Sequence, residues 1–303
     1  MQKLLFNFNK EDLNRIDLLS GTKYSLIKWV GGKKKLLKPI VGLISKCYFD
    51  GITYYEPFLG SGAVVFSCNF SKIVIGDKNR KLINFYESVR ERPQELLESI
   101  VVLCNQFNGS TNKLDFFKEI KVQFNLSTTE IIKQSSMFWF LNKAGFNGMY
   151  RENGSGEYNI PFAKIETINK PDLEDFLHIS NILKLKGCTL KCGDYQLTCS
   201  DVKAKDIVYL DPPYIPTSLT AGFTSYTNDD FVLKDHIVLR SFIKKISSEG
   251  VCVILSNSNA EKTIEIYGNM KGFKIIEVNV TRLISGKSKG RGKTKELIIH
   301  NIA

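Results

Sequence analysis

The run Ile207-Val208-Tyr209-Leu210 ends in Asp211-Pro212-Pro213-Tyr214, and this ending constrains the chain more than any other stretch. Four apolar residues in a row read as a buried strand. Strand pairing must stop at the prolines, because the second offers no N–H and the first restricts the residue before it. The strand end is therefore a rigid platform that presents the Asp211 carboxylate, the Pro212 carbonyl and the Tyr214 ring toward one point. Two acceptors and a stacking face suit an exocyclic amino group on a planar base. Such an amine is a poor nucleophile because its lone pair is delocalised into the ring. Acceptors that draw its nitrogen toward tetrahedral geometry localise that pair for attack on a methyl sulfonium. The bland reading of Asp-Pro-Pro is an ordinary turn.

A second stretch, Tyr54-Tyr55-Glu56-Pro57-Phe58-Leu59-Gly60-Ser61-Gly62, reads as a strand that runs into a Gly-x-Gly turn, with a helix expected at 63–67. Glycines there let a ligand lie against backbone at the carboxyl edge of an open α/β sheet, where nucleosides bind. A dinucleotide fold would want a third Gly where Val65 stands, and a phosphate loop would want Gly-Lys-Ser/Thr, so pyrophosphate binding is disfavoured. Asp77 closes the next apolar run, Ile73-Val74-Ile75-Gly76, at the place from which a carboxylate accepts hydrogen bonds from ribose hydroxyls. The alternative is a tight turn followed by a turn Asp.

The 303 residues are 43% hydrophobic, enough to bury a sizeable core and to exclude a disordered chain. Forty-two Lys and Arg against 31 Asp and Glu leave a formal charge of +11, which favours a polyanionic partner. No run approaches the apolar length of a membrane span and residues 1–10 do not read as a secretory signal, so a soluble, intracellular (cytoplasmic) protein with no membrane partner is expected. The seven cysteines include no C-x-x-C pair; Cys188, Cys192 and Cys199 come nearest to a cluster, and His178, His236 and His300 are scattered. Reduced thiols and no metal site are expected.

Pattern changes divide the chain. A helix is expected near 36–44 and strands at 52–55 and 72–76. From about Arg80 to Leu185 helical spacing takes over, as in Leu82, Phe85, Tyr86 and Val89, then Leu96, Leu97, Ile100, Val101 and Cys104. Strands return at 188–192, 206–210, 251–255, 274–279 and 296–300. The expectation is an α/β fold whose core, residues 1–79 and 186–303, is split by a mostly helical insert at 80–185.

Taken together, these motifs resemble those of the Dam-type, α-group DNA adenine-N6 methyltransferases, over nearly the whole chain from Lys28 onward. Lys28-Trp29-Val30-Gly31-Gly32-Lys33 resembles the N-terminal cofactor motif of that family, Glu56 to Gly62 its glycine-rich cofactor loop, Asp77 its ribose carboxylate, and Asp211 to Tyr214 its catalytic motif. The order, with an insert between the two halves, is that of the α group. The resemblance implies a Rossmann-like core that uses S-adenosyl-L-methionine, held by Trp29, Lys33, Glu56, Phe58, Gly60, Gly62 and Asp77, with Asp194 and Tyr195 at its adenine ring and Asp211 close to both donor and target amine. Asp211, Pro212 and Tyr214 are the implied catalytic set, and no metal is required.

Residues 141–151 and 156–162 read as a helix end and a hairpin, with turn chemistry at 152–156. The family reads double-stranded DNA with this hairpin. Arg151 matches its base-reading arginine, whose fork suits guanine O6 and N7; Met149 and Pro161 match apolar contacts, Lys28 a residue that reads the first guanine, and Phe146, beside Asn147, an aromatic wedge next to the flipped base. Ile165 departs from the pattern by standing where some members carry Tyr. The implied target is GATC, with a companion restriction endonuclease as a possible genetic partner. Residues 221–226 resemble the loop over the flipped adenine, and 285–295, with five cations and no apolar residue, reads as a mobile phosphate-touching loop. A methyltransferase acting on RNA or protein glutamine, which commonly shows Asn where Asp211 stands, and a DNA-binding module without catalysis are the rival readings.

Overall fold

Buried apolar runs build the sheet. The structure, a computed structural model, describes residues 25–29, 31–33, 35–126, 130–217, 231–281 and 293–303, with backbone alone at 281, 293 and 294. Strands β1 (Tyr54–Glu56), β2 (Ile73–Asp77), β3 (Cys188–Cys192), β4 (Ile207–Leu210), β5 (Cys252–Ser258), β6 (Lys274–Thr281) and β7 (Lys293–His300) form one seven-stranded sheet in the order β3-β2-β1-β4-β5-β7-β6. The first five strands are parallel, and β7 inserts antiparallel between β5 and β6. Continuous burial explains why Ile207–Leu210 shows no alternation, since both faces of a parallel sheet are covered.

The chain winds outward from β1 to β2 and β3 on one side and from β4 to β5 on the other. The strand order reverses between β1 and β4, and in open α/β sheets such a switch point forms the ligand crevice beyond the carboxyl ends of the strands. Side-chain alternation sends Tyr54, Ile73, Ile75, Ile207, Tyr209, Ile254 and Ile298 into one core and Tyr55, Val74, Val208, Leu210, Val253, Leu255 and Ile299 into the other. The parity of the first set continues at the strand ends into Asp77, Glu56, Asp211, Ser256 and Glu296. One face of the sheet therefore ends in a row of polar side chains from five strands.

Helix α1 (Leu37–Cys47) precedes β1. Between β2 and β3 the described residues form helices and no sheet strand: α2 (Arg80–Glu91), α3 (Pro93–Gly109), α4 (Lys113–Asn125), α5 (Ile131–Ala144) and α6 (Leu173–Leu183). Asn79 caps α2 through Leu82 N–H at 3.0 Å, and the stripe Leu82, Phe85, Tyr86, Val89 is buried as its spacing predicts. α5 differs: Ser135 to Asn142 are all buried, so it is the axis on which α2, α3 and α4 pack. Helices α7 (Tyr195–Thr198), α8 (Leu233–Ser248) and α9 (Glu261–Tyr267) complete the second half.

Several boundaries are corrected. The expected helix at 63–67 is a single 3-10 turn, Val65–Ser67, because the chain is still held by the glycine turn at Gly62. Strand β5 runs three residues past the expected Leu255 through a buried Ser256-Asn257-Ser258, whose polarity hid the continuation. Lys293 to Lys295, expected in a loop, are paired in β7 with Thr281 to Asn279. The expectations for residues 1–10, Val30, 221–226 and 285–292 lie outside the described residues.

Candidate active site

The turn after β1 is built on two glycines in the left-handed region. Gly60 has φ +48°, and a Cβ there would lie 2.6 Å from Cδ1 of Trp29; Gly62 has φ +66°, and a Cβ would lie 2.1 Å from the Phe66 ring. The Trp29 indole thus rests directly on Gly60, and it stacks on the Tyr150 ring with centroids 6.0 Å apart. Asp77 locks the turn: its Oδ2 accepts from Gly60 N–H at 3.0 Å and its Oδ1 from Asn79 N–H at 2.9 Å. Burial pushes the Asp77 carboxyl up, and these N–H groups oppose the rise.

Glu56 faces inward. Its Oε2 accepts from Tyr54 OH at 2.8 Å and Val65 N–H at 3.0 Å, and the residue is 3% exposed. Burial pushes its carboxyl to about 8, with the Tyr54 hydrogen bond opposing and Asp211 adding to the rise. Phe58 is half-buried and stacks on Tyr195 at 5.8 Å, and Tyr195 is buried and edge-on to Phe242. Asp194 is exposed and caps α7 by accepting from Leu197 N–H at 2.8 Å.

Asp211 stands at the end of β4 with both oxygens engaged. Oδ2 lies 2.7 Å from Nζ of the buried Lys33, and Oδ1 accepts from Ser256 Oγ at 2.7 Å. Lys33 Nζ also donates to Gly31 O at 2.6 Å and sits 4.7 Å from the centre of the Tyr214 ring. Lys33 is thus no solvated surface charge. Pro212 is buried, and Tyr214 is half-buried with its OH donating to Glu296 Oε2 at 3.2 Å. The main chain just beyond is pinned to β5: Asn257 Oδ1 accepts from Ile215 N–H at 3.1 Å and Ser258 Oγ donates to Ile215 O.

The proposed DNA-reading residues lie around the end of α5 and the hairpin that follows it. Asn142, buried at the end of α5, clasps Lys28: Oδ1 accepts from Lys28 N–H at 2.8 Å, while Nδ2 donates to Lys28 O at 2.7 Å and to Gly148 O at 3.1 Å. Trp139 Nε1 donates to Leu26 O at 2.9 Å. The Lys28 side chain is exposed beside the turn Phe146–Gly148, where Phe146 is 49% exposed and Asn147 takes φ +56°. Met149 is half-buried, Pro161 exposed, and the exposed Arg151 donates from Nε to Asn159 Oδ1 at 2.8 Å. The hairpin closes at the Glu152 and Tyr158 pair, and Glu152 is held by Lys81 at 2.9 Å. Ile165 packs against the core. A cavity of about 320 Å³ opens beside Lys28, lined by Trp139, Lys143, Ile165 and Lys170, away from the Asp211 platform.

The sequence reading missed Asn142, Ser256, Asn257, Ser258 and Glu296. A readable cue existed for three of them, since Ser-Asn-Ser directly after the apolar run Val253-Ile254-Leu255 is an unusual strand ending. Among the described residues no group of three or more His, Cys, Asp or Glu side chains is placed to hold a metal ion.

The sheet order, the glycine turn and the Asp-Pro-Pro-Tyr platform on adjacent strand ends define a class: a methyltransferase on a Rossmann-like sheet. Comparison with known proteins goes further. Residues 29–284 match the family described as D12 class N6 adenine-specific DNA methyltransferase, and the chain belongs to that family. Relatives include a Type II methyltransferase, M1.LlaDCHI, of Lactococcus lactis subsp. cremoris, 32% identical over 94% of this chain and 99% of its own length. A second, Type II methyltransferase M.MjaIII of Methanocaldococcus jannaschii, is 34% identical over 91% of this chain and 98% of its own. The DNA adenine methylase of Haemophilus influenzae is 33% identical over 90% and 91%. The protein is accordingly an enzyme, a DNA adenine-N6 methyltransferase, which displaces the readings of a non-catalytic DNA binder or an RNA or protein modifier. No described helix is long and apolar enough to cross a membrane.

Proposed function

We propose that the enzyme transfers a methyl group from S-adenosyl-L-methionine to N6 of an adenine flipped out of duplex DNA, within GATC. The observation that carries this reading is the adjacency of two half-sites on neighbouring strands: the Gly60 and Asp77 turn beyond β1 and β2, and the Asp211 to Tyr214 platform beyond β4. The first half-site suits the cofactor. Gly60 and Gly62, with no Cβ, let the Trp29 indole and the Phe66 ring close directly on the turn, and Asp77 supplies a carboxylate at the strand end where ribose hydroxyls are bound. Trp29, Lys33 and Phe58 border it. When bound there, S-adenosyl-L-methionine supplies an electrophilic methyl on a sulfonium.

The chain's own residues prepare the acceptor. Asp211 and the Pro212 carbonyl accept hydrogen bonds from the two N6–H groups, and Tyr214 holds the base flat. As the N–CH3 bond forms, the sulfonium–methyl bond breaks to leave a neutral thioether, and one N6 proton is released to solvent. Lys33 and Ser256 fix the Asp211 carboxylate. An adenine in the helical stack has its faces covered by neighbouring bases and its N6 paired, so to meet both Asp211 and the Tyr214 ring the base must leave the duplex at a cost of a few kcal/mol.

Arg151, Met149, Pro161 and Lys28 are the proposed readers of GATC, with Phe146 and Asn147 at the vacated position. We assign catalysis to 1–79 and 186–303 and target recognition to 80–185, with Lys28 added to the reading surface from the first segment. The site of action is the cytoplasm, with the DNA, and a companion restriction endonuclease is a proposed genetic partner, since two relatives carry Type II names. The test is long-read sequencing of DNA from cells expressing the protein, beside an Asp211→Ala control. N6-methyladenine in GATC that disappears in the control is expected; unmethylated GATC in wild-type cells sinks the target assignment.

A further inference from the structure

The parity of the sheet places Ser256 and Glu296 on the same face as Asp211, although they come from β5 and β7 and lie 45 and 82 residues from the groups they touch. We propose that Ser256 and Glu296 are the positioning residues of the acceptor platform: Ser256 sets the plane of the Asp211 carboxylate, and Glu296 sets the pitch of the Tyr214 ring. The inference rests on the reading of Asp211 and Tyr214 as the adenine platform.

A carboxylate turns about a broad two-fold torsion and needs two directional contacts to hold one plane. Lys33 engages Oδ2 at 2.7 Å, and Ser256 Oγ engages Oδ1 at 2.7 Å. Ser256 has one proton, and its hydroxyl lies 2.7 Å from Asp211 Oδ1 against 3.4 Å from Leu210 O, so it donates its stronger hydrogen bond to Asp211 and the Tyr209 OH, 3.0 Å away, donates to Ser256. Both residues are buried, 0% and 1% exposed, and the chain Tyr209 to Ser256 to Asp211 is a directed relay with no rotor left free. It leaves the outward lone pairs of Asp211 to accept from the amine.

Tyr214 has the same need. A ring that stacks on a base must hold its tilt, and its one polar handle is the OH that donates to Glu296 Oε2 at 3.2 Å. Glu296 is delivered by sheet register: it pairs with Ser258 of β5 on one side and Val278 of β6 on the other. Burial and the neighbouring carboxylates hold the Tyr214 phenol far above its ordinary range, so it remains a donor throughout the working pH range. The antiparallel insertion of β7 thereby has a functional consequence, since it brings a carboxylate beside the platform from a strand that touches neither β1 nor β4.

The test is single-turnover methyl transfer on a GATC duplex, read together with DNA affinity and with the emission of 2-aminopurine placed at the target adenine. Ser256→Ala and Glu296→Ala should each slow transfer by about tenfold to hundredfold, the range for one hydrogen bond to a charged group, with DNA affinity within about threefold. Glu296→Gln keeps an acceptor and should recover most of the rate. Tyr214→Phe keeps the stacking face and loses the handle, so adding Glu296→Ala to it should cost nothing further. 2-Aminopurine emission in Glu296→Ala should rise as stacking on the ring loosens. Should Ser256→Ala fail to fold, the isosteric Tyr209→Phe frees the Ser256 rotor and should slow transfer in the same direction. Wild-type rates in Ser256→Ala and Tyr209→Phe, or additive losses in the Tyr214→Phe and Glu296→Ala pair, would overturn the inference. Asp211→Ala separates the failures: if it retains activity, the platform reading itself falls, whereas an inactive Asp211→Ala beside fully active Ser256 and Glu296 variants removes only the positioning roles.

Discussion

Lys33 Nζ lies 2.7 Å from Asp211 Oδ2, joining the segment before α1 to the end of β4 across the crevice. Lys33 is 6% exposed and Asp211 20%, so the pair is shielded from solvent but not sealed. Removing one partner of a fully buried pair costs about 3–5 kcal/mol, and the partial exposure of Asp211 lowers that figure here. Lys33→Met should therefore destabilise the fold by about 1–3 kcal/mol and slow methyl transfer by about 100-fold, because Asp211 loses the contact that holds Oδ2. Lys33→Arg should not rescue it, since a planar fork cannot also reach Gly31 O and the Tyr214 ring as an ammonium does. Thermal melts and single-turnover rates check this; a folded Lys33→Met with wild-type turnover would reduce the pair to scaffolding.

Glu56 makes stability depend on pH in a direction opposite to most carboxylates. Its ordinary value is near 4.5 and burial in the fold raises it to about 8. Between those values the folded protein keeps a proton that the unfolded chain has lost, so proton binding favours folding. The contribution is complete below pH 4.5 and is lost as pH rises through 8. Glu56→Gln keeps an acceptor for Tyr54 and Val65 and cannot ionise, so its stability should fall less steeply from pH 5 to pH 9. Chemical denaturation of both proteins across that range gives the answer, and parallel curves would mean that Glu56 is ionised in the fold.

Gly60 should tolerate no side chain. An added methyl meets Trp29 at 2.6 Å, and its φ of +48° costs a residue with a Cβ about 1–2 kcal/mol. Gly60→Ala should displace the indole and raise the KM for S-adenosyl-L-methionine by more than about tenfold, with a smaller change in kcat, because cofactor binding is shared by ground and transition states. Asp77→Ala, which frees Gly60 N–H, should act in the same direction. Gly109→Ala is the control, since nothing lies within 4 Å of its added Cβ. Unchanged cofactor affinity in Gly60→Ala would move the cofactor away from this turn.

What could be read in the chain follows how local each feature is. The β4 ending was legible because an apolar run and two prolines are consecutive, and α2 because its stripe repeats within one helix. Helix α5 hid its importance by being buried on all sides from Ser135 to Asn142, which erases the amphipathic period. The inward turn of Glu56 depends on Tyr54 and Val65, and its motif position says nothing of it. Ser256, Glu296 and Asn142 acquire their partners only through tertiary pairing; Asn142 and Lys28 are 114 residues apart. No periodicity within one element reports such a contact.

The proposed reading of the target rests on an exposed Arg151 whose Nε is already fixed to Asn159 Oδ1 at 2.8 Å. That bond orients the guanidinium, and the fork for guanine O6 and N7 consists of the two terminal nitrogens. Arg151→Ala should lose about 1–3 kcal/mol of preference for GATC over sites altered at one guanine, while methylation of near-cognate sites persists. Asn159→Ala removes only the brace and should lose a smaller part of the same preference at the same base pair. Asn142→Ala acts elsewhere: it releases the Lys28 backbone from Gly148, so discrimination should weaken at the guanine assigned to Lys28 and hold at the one assigned to Arg151. The measurement is the methylation rate on duplexes that differ at one base pair at a time. Full discrimination by Arg151→Ala at every position would place sequence reading outside this hairpin, and equal losses at both guanines in Asn142→Ala would show that the clasp supports the subdomain as a whole rather than Lys28.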